Sequence, residues 1–301
     1  MLLKNIIHTI HYKVNCELKN ISRKKALSKM REQILDYYTD HSFKNKEIKE
    51  SVEYLKHASL KTFCSSFADT YKWEGIEVLM DPSNGLRYVM HQGKRLYFIR
   101  SFNDRTVKYC YNGLLTEQDQ ESPHCYLGEN FEVKEDDVLL DVGSAEGVFS
   151  LTHIEKLKHV VLFERDPQWV EALQATFAPW KDKVTIVRKY VSDCNDEENI
   201  TIDSFLSDKS YHPTFIKIDV EGAEQRVLNG MEETIKVPDL KLALCTYHQP
   251  DDFKNFTSLL SEKEFNWNAS KGVMIFLNDL DSLRAPYFRK GLIRAKKQAK
   301  D

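Results

Sequence analysis

The feature that most constrains this sequence is an alternation of strand-like and helix-like segments that begins near residue 137. The apolar segments are of strand length, and the segments between them carry helical spacing. Strands alternating with helices predict a parallel, doubly wound sheet, an α/β fold. Seven strands are predicted, the last as an antiparallel hairpin partner: Val138–Val142, Val160–Glu164, Val184–Val187, Phe215–Val220, Leu240–Thr246, Phe265–Asn268 and Val273–Leu277. The predicted helices between them are Val148–Leu157, Gln168–Phe177, Ser204–Leu206, Ala223–Ile235 and Asp251–Ser261.

The N-terminal part of the sequence has a different pattern. Residues 1–75 are predicted to be helical, with helices at Ala26–Tyr38 and Ile48–Phe67 and an apolar stripe across residues 2–14. Residues 76–102 predict a small β-meander, because strand-like segments flank the turn signals around Gly85 and Gly93. Residues 103–130 are predicted to be irregular. We therefore expect an N-terminal cap or substrate region at 1–130, an α/β domain at 131–283 and a basic tail at 284–301.

Charge and cysteine spacing exclude several classes of protein. The net charge is −3, yet residues 1–60 carry an excess of five positive charges and residues 284–301 an excess of six. An acidic centre with basic ends does not form the basic stripe of a nucleic-acid groove, so no nucleic-acid partner is expected. No two of the six cysteines form a C-x-x-C pair, and no metal site is assigned to them. We expect a cytoplasmic protein; the basic ends and the stripe at 2–14 leave open peripheral contact with a membrane or glycolipid, and a homodimer.

A glycine-containing turn follows the first predicted strand of the sheet. Asp141, Gly143 and Gly147 form a D-x-G-x-x-x-G pattern, and glycine lets the backbone approach a ligand closely. The G-x-G-x-x-G pyrophosphate pattern is absent, which argues against a nicotinamide cofactor and favours one without phosphates. Glu164 ends the next strand, where a carboxylate accepts ribose hydroxyls. Asp193, after the third strand, is a candidate partner for an adenine amine.

Two further candidates lie at the ends of later strands. Asp219 ends the fourth predicted strand and His248 follows the fifth, so both are expected at the edge where open α/β sheets bind ligands. An imidazole near neutral pKa suits the removal of a proton from a hydroxyl acceptor. Glu221 is either a helix cap or, with Asp219, an oxygen ligand for Mg²⁺.

Together these segments resemble the FkbM family of S-adenosylmethionine (SAM) dependent methyltransferases. The matching segments cover about residues 137–255 and read DVGSAEGVFSL, VLFERDP, VSD, TIDSFL, FIKIDVEGAEQRVLNGM and LCTYHQPDDF. The resemblance implies a Rossmann-like class I methyltransferase sheet, with residues 131–283 as the methyltransferase domain. It also implies SAM as cofactor, S-adenosylhomocysteine as product, and O-methylation of a hydroxyl, typically on a sugar or polyketide. The segments LYFIRS and EQDQESPHCYL resemble a subgroup tied to polysaccharide biosynthesis.

The resemblance also assigns roles to individual residues. SAM-binding positions fall on Asp141, Gly143, Gly147, Glu164 and Asp193, and the reacting end is lined by Asp219, Glu221 and His248. The family often has Ala-Asn between the two glycines, whereas this chain has Ser144-Ala145. Ser144 is therefore added as a cofactor-binding candidate that replaces the missing amide. His124, beside Pro123, is either part of a lid over the cofactor or a loop histidine.

Two other functions remain open at this point. One is a nicotinamide-dependent dehydrogenase on a similar sheet, against which the missing third glycine counts. The other is a non-catalytic SAM-binding or scaffold protein, which the Ser144-Ala145 departure favours.

Overall fold

The computed structural model describes residues 22–41, 43–278, 280 and 283–298, which form two compact units. The first unit comprises the described residues up to Ser66 together with Val273–Arg289. The second comprises Phe67–Gly272 and the described residues from Lys290 onward. The predicted apolar stripe at residues 2–14 lies outside the described residues.

The first unit is built on two helices. Helix α1 covers residues 22–40, and α2 covers Lys46–His57, where the Asn45 side chain caps the first turn by accepting from the backbone N–H of Ile48. Arg31 donates to three carbonyls at the C-terminal end of α2, which satisfies acceptors that a helix end leaves unpaired. The helix predicted at Ala26–Tyr38 is confirmed, whereas the one predicted at Ile48–Phe67 ends ten residues early.

The second unit begins with the predicted β-meander. Its strands β1 (Leu79–Met80), β2 (Arg87–His91) and β3 (Lys94–Tyr97) pair antiparallel in that order. Helix α3 then covers Asp104–Glu117, so the irregular structure predicted for residues 103–130 is wrong at this point. Asn103 caps this helix by accepting from the backbone of Thr106, and the apolar stripe that buries it is sparse. A sparse stripe gives a weak periodic signal, which explains the missed helix.

The rest of the second unit is a seven-stranded sheet with helices. Its strands are β4 (Val138–Val142), β5 (His159–Phe163), β6 (Val184–Val187), β9 (Phe215–Ile218), β10 (Lys241–Cys245), β11 (Phe265–Ala269) and β12 (Leu292–Lys297). A separate parallel pair is formed by β7 (Tyr190–Val191) and β8 (Asn199–Ile200). The helices are α4 (Val148–His153), α5 (Pro167–Phe177), α6 (Ile202–Leu206), α7 (Glu224–Asn229) and α8 (Asp252–Glu262). Short 3₁₀ turns lie at Ser66–Asp69, Ala178–Trp180 and Thr234–Lys236.

The strand order of the large sheet is β11-β12-β10-β9-β4-β5-β6. Strands β4, β5, β6, β9 and β10 are parallel, and β12 runs antiparallel between β10 and β11. This is the Rossmann-like class I methyltransferase arrangement with an antiparallel last strand, so the predicted fold class is confirmed.

The position of the last strand was predicted wrongly. Val273–Leu277 belongs to the first unit and forms only an isolated bridge there, between Met274 and Arg289. The antiparallel strand is instead Leu292–Lys297, inside the predicted basic tail. Leu292, Ile293 and Ala295 are fully buried, yet Arg294 among them and the two lysines that follow give the segment the composition of a tail. Tertiary pairing with β10 and β11 overrides that composition.

The sheet order fixes where a ligand-binding edge lies. The chain runs outward from β4 in both directions, to β5 on one side and β9 on the other. Open parallel sheets bind ligands beyond the carboxyl ends of their strands at such a reversal point. Here that edge is formed by residues after Val142, Ile218 and Cys245. No helix within the described ranges is long and apolar enough to cross a membrane.

Candidate functional site

The loop between β4 and α4 is held in a left-handed backbone conformation at three positions. Gly143, Ala145 and Gly147 have φ values of 77°, 45° and 75°. A Cβ on Gly143 would lie 1.9 Å from the carbonyl oxygen of Asp219, and a Cβ on Gly147 would lie 2.8 Å from side-chain atoms of α5. Both glycines are therefore required by close approach of the protein itself, whereas the sequence predicted close approach of a ligand.

A buried ion pair underlies this loop. Lys217 Nζ, on β9, lies 3.0 Å from Asp141 Oδ1 on the adjacent strand and donates to the carbonyl of Gly143 at 2.6 Å. Ser150 donates to the other Asp141 oxygen at 2.6 Å. The side chains of Asp141 and Lys217 are 1% and 5% exposed. Burial opposes the charge of Lys217, but the carboxylates of Asp141 and Asp219 outweigh it and raise the Lys217 pKa.

Asp219 is the centre of a second network, which we call the Asp219 network: Asp219, His124, Tyr126, Tyr247 and His248. Tyr126 and Tyr247 donate to its two carboxylate oxygens at 2.7 and 3.2 Å. His124 Nε2 lies 3.4 Å from one oxygen and His248 Nε2 lies 3.7 Å from the other. Burial raises the pKa of Asp219, but the hydrogen bond and charge of His124, with Lys217 and His248, pull it well below its usual range. Asp219 is therefore an anion held between two imidazoles.

The two histidines of the Asp219 network have different surroundings. His124 Nε2 also lies 3.2 Å from the Tyr247 hydroxyl. His248 Nδ1 lies 2.8 Å from Glu224, whose carboxylate also accepts from backbone N–H groups at the start of α7. Burial lowers the pKa of each imidazole, but the hydrogen bonds to Asp219 and to Glu224, respectively, raise it above the ordinary value.

A cavity of about 170 Å³ lies between the loop and the Asp219 network. Carboxyl groups contributed by five acidic residues line it: Glu117, Asp141, Glu146, Asp219 and Glu221. Burial raises the pKa of Glu146 to about 8 and raises that of Glu117 as well. His124 lines this cavity, whereas His248 lies behind Asp219 and does not. Lys217 also lines the cavity and is paired with Asp141, so the other carboxyl groups favour a ligand that carries positive charge to the extent that they are ionised.

The remaining predicted cofactor residues lie near the loop in different settings. Glu164 accepts from the backbone N–H groups of Ala145 and Asp166 at 3.0 and 2.8 Å, which fixes its carboxylate at the end of β5. Burial raises its pKa. Ser144 is 4% exposed, lines the cavity, and donates to the Phe163 carbonyl at 3.3 Å. The assignment of Glu164 and Ser144 as cofactor ligands stays a prediction.

Asp193 does not line the cavity, and neither do three other predicted site residues, Gly147, Glu164 and His248. Its Oδ1 accepts from Arg226 Nε and from Ser192 Oγ, each at 3.1 Å. The hydrogen bond from Arg226 lowers the Asp193 pKa. Its role toward adenine stays a prediction, although part of its hydrogen-bonding capacity is taken by Arg226.

Among the residues that the structure describes, two groups of side chains have the spacing to hold a metal ion. Asp219, Glu224 and His248 present ligand atoms within 4.8 Å of one another, as do His124, Asp219 and Cys245. The sequence-based suggestion was Asp219 with Glu221; the structure brings Glu224 to this position instead. Both groups share Asp219, so a metal ion at either one would compete with the hydrogen bonds of the Asp219 network.

Six residues of the site were not singled out from the sequence: Glu117, Tyr126, Glu146, Lys217, Glu224 and Tyr247. Glu117 was missed with helix α3. Tyr126 lies in an irregular segment and reaches Asp219 across 93 positions of sequence. Glu224 and Glu146 stood inside quoted motifs, where an acid at the start of a helix has an ordinary explanation as a capping group.

Comparison with known proteins shows what this chain is similar to over part of its length. Residues 184–267 match the family model "Methyltransferase FkbM domain". A solved FkbM methyltransferase from Methylobacillus flagellatus KT is 17% identical, with a TM-score of 0.43, covering 64% of this chain and 54% of that one. This chain thus spans about half the length of that protein.

Other solved structures are similar at lower scores. A precorrin-6y C5,15-methyltransferase from Geobacter metallireducens GS-15 is 14% identical, with a TM-score of 0.39 and coverage of 55% and 84%. A putative methyltransferase from Streptococcus mutans, in complex with SAH, is 13% identical, with a TM-score of 0.36 and coverage of 55% and 90%. No curated protein matches the sequence. The FkbM resemblance drawn from the sequence motifs is confirmed over residues 184–267, which match the family model.

Proposed function

We propose that this chain is a SAM-dependent O-methyltransferase that methylates a hydroxyl of a sugar or glycan precursor in the cytoplasm, with a role in polysaccharide biosynthesis. The observation that carries the proposal is the acid-lined cavity between the glycine loop and Asp219, at the reversal point of the sheet. When bound there, SAM supplies a methyl group activated by its positively charged sulfur. Partners beyond the acceptor, including a membrane or a second copy, stay proposals.

The cavity of about 170 Å³ is smaller than the ~300–1,000 Å³ of typical ligand pockets, so its residues suit one end of such a cofactor. The cavity is rich in carboxyl groups that favour a cationic ligand, and Glu164 presents a fixed carboxylate at the end of the neighbouring strand for ribose hydroxyls. Asp141 is committed to Lys217 and Ser150, so it acts by holding Lys217 and the Gly143 carbonyl in place.

Proton transfer is assigned to the Asp219 network. Methyl transfer to a hydroxyl forms an O–C bond, breaks an S–C bond and releases the hydroxyl proton, which a nearby base takes. Asp219 is the anion that orients the two imidazoles. One assignment of the proton-transfer residues is the pair expected from the sequence, Asp219 and His248. His124 is the imidazole that lines the cavity, so its neutral form, which predominates above its raised pKa, is the more direct proton acceptor. Positioning of the hydroxyl supplies the rest of the rate.

The test is binding of S-adenosylhomocysteine by calorimetry to the wild type, Glu164→Gln and Glu171→Gln. Glu171, on α5, forms a surface ion pair with Arg100 and serves as the matched control. We expect binding to the wild type and to Glu171→Gln, with affinity reduced about tenfold or more in Glu164→Gln. Absence of binding to the wild type, or NAD binding in its place, would reject the proposal.

A further inference from the structure

A second, larger cavity adjoins the acid-lined one. Its volume is about 840 Å³, within the ~300–1,000 Å³ typical of ligand pockets. Four residues line both cavities: Leu114 on α3, Gln118 directly after α3, and Val148 and Phe149 on α4. The Phe149 ring stands 5.2 Å from the Tyr126 ring of the Asp219 network and 5.1 Å from the His153 ring of the large cavity. A ligand in the large cavity therefore lies one side chain away from Asp219.

The lining of the large cavity is polar without a dominant charge. Three carboxylates and two cations line it, which leaves one net negative charge. Lys271 lies 3.7 Å from Glu121, and Arg294 is occupied in donating to the carbonyls of Cys125 and Tyr126. Neither cation is arranged to clamp a phosphate or carboxylate in the bidentate manner that anion sites use. An anionic ligand such as a nucleotide or RNA is therefore disfavoured.

Side chains that both donate and accept hydrogen bonds dominate the polar lining. Three amides, Gln92, Gln118 and Gln120, line the cavity together with His153 and His91. Burial lowers the pKa of both imidazoles to about 4, so they are neutral at physiological pH. Both ring nitrogens of His91 are already paired, with the hydroxyls of Tyr111 and Thr152. The amides and the neutral imidazole of His153 offer donors and acceptors, which complement a hydroxyl group.

We propose that the large cavity holds the methyl acceptor, and that the acceptor is an uncharged, hydroxyl-rich molecule of oligosaccharide size. The proposal rests on the proposed function for its link to methyl transfer, because the hydroxyl passes between Gln118 and Phe149 to reach Asp219. The site itself, defined by Gln92, Gln118 and His153, does not depend on the cofactor.

The test is a glycan array probed with labelled full-length protein, carrying neutral and acidic glycans, with an RNA oligonucleotide as a further probe. The variants are His153→Ala and Gln92→Gly; glycine suits the positive φ of 49° at position 92, so this variant keeps the backbone. His212→Ala, an exposed histidine away from both cavities, is the matched control. S-adenosylhomocysteine affinity is measured for every protein.

We expect signals on neutral glycans that fall at least tenfold in His153→Ala and in Gln92→Gly and persist in His212→Ala, with unchanged S-adenosylhomocysteine affinity. Signals confined to acidic glycans or RNA, no glycan signal at all, or neutral signals insensitive to both variants would overturn the inference. Glycan signals without S-adenosylhomocysteine binding would reject the proposed function and leave this site standing.

Discussion

Removing the cation of the Asp141–Lys217 pair leaves a charge buried in the centre of the sheet. In Lys217→Met, Asp141 keeps the hydrogen bond from Ser150 but loses its ionic partner 3.0 Å away, at a side chain that is 1% exposed. Breaking one side of a buried ion pair costs about 3–5 kcal/mol. The remaining Ser150 bond places the expected loss near the lower end, about 3 kcal/mol. For a slope of ~3 kcal/mol/M, the urea midpoint falls by about 1 M.

The measurement is urea unfolding followed by tryptophan fluorescence. All four tryptophans, Trp73, Trp169, Trp180 and Trp267, lie in the second unit, so the signal reports on the unit that contains the pair. The double variant Asp141→Asn/Lys217→Met removes both charges. It should recover at least half of the loss, because no unpaired buried charge remains.

A matched pair at the opposite end of the same sheet provides the control. Lys241 lies 2.6 Å from Asp137, and both side chains are 8% exposed. Lys241→Met should destabilise the protein similarly but leave S-adenosylhomocysteine affinity unchanged, whereas Lys217→Met should weaken it, since Lys217 also fixes the Gly143 carbonyl. Two results would refute the reasoning. One is a loss below 1 kcal/mol in Lys217→Met, and the other is a double variant that recovers none of that loss.

Three further outcomes are expected. Gly143→Ala should lower the free energy of unfolding by several kcal/mol or prevent folding, because its Cβ would lie 1.9 Å from a carbonyl oxygen. The control is Gly113→Ala, whose Cβ would have no atom within 4 Å; in the same urea assay it should be neutral or stabilising by up to ~1 kcal/mol. His124→Gln should reduce methyl transfer ~100-fold with S-adenosylhomocysteine affinity within twofold, and His212→Gln should change neither. Between pH 7.5 and 8.5 the urea midpoint should fall as pH rises, because Glu146, with a pKa of about 8, holds a proton in the folded state that the unfolded state has lost; His91 and His153 titrate below this range, so a midpoint that rises there contradicts the raised pKa of Glu146.

The sequence predicted the part of the fold that has strong local periodicity. The five parallel strands are apolar runs bounded by turn residues, and their order in the chain implies the doubly wound sheet. Helix α3 and strand β12 were missed for opposite reasons. The first has too sparse an apolar stripe, and the second places cations among and after its fully buried residues. In both segments the structure depends on contacts with distant elements, which no local window contains.

The candidate site shows the same division. Asp219 and the loop after β4 were found because parallel strands end at one edge. The partners that decide what Asp219 does, His124 and Tyr126, come from a segment about 95 positions earlier in the chain. The glycine pattern identified the right loop for an incomplete reason, because the space beside Gly143 is filled by the backbone of Asp219. The acids that line the cavity carry the argument for a cationic ligand.

The charge of the cavity leads to a prediction that separates SAM from its product. SAM carries a positive sulfur and S-adenosylhomocysteine does not, so only SAM gains when a carboxyl group in the cavity ionises. Glu146, with a pKa of about 8, is mostly neutral at pH 6.5 and mostly ionised at pH 9. The ratio of SAM affinity to S-adenosylhomocysteine affinity should therefore rise over this range. Glu146→Gln, which cannot ionise, should flatten that rise.

The ratio is measured by calorimetry from pH 6.5 to 9, with Glu171→Gln as the exposed control on α5. If the affinities for SAM and S-adenosylhomocysteine rise equally with pH, the pH dependence comes from a group that both ligands contact equally, such as one near the shared amino-acid portion. An unchanged ratio in the wild type would show that Glu146 lies too far from the sulfur, or is too well screened, for its charge to be felt there. Because the two ligands differ by one methyl group and one charge, the ratio reports the electrostatic field at the sulfur itself.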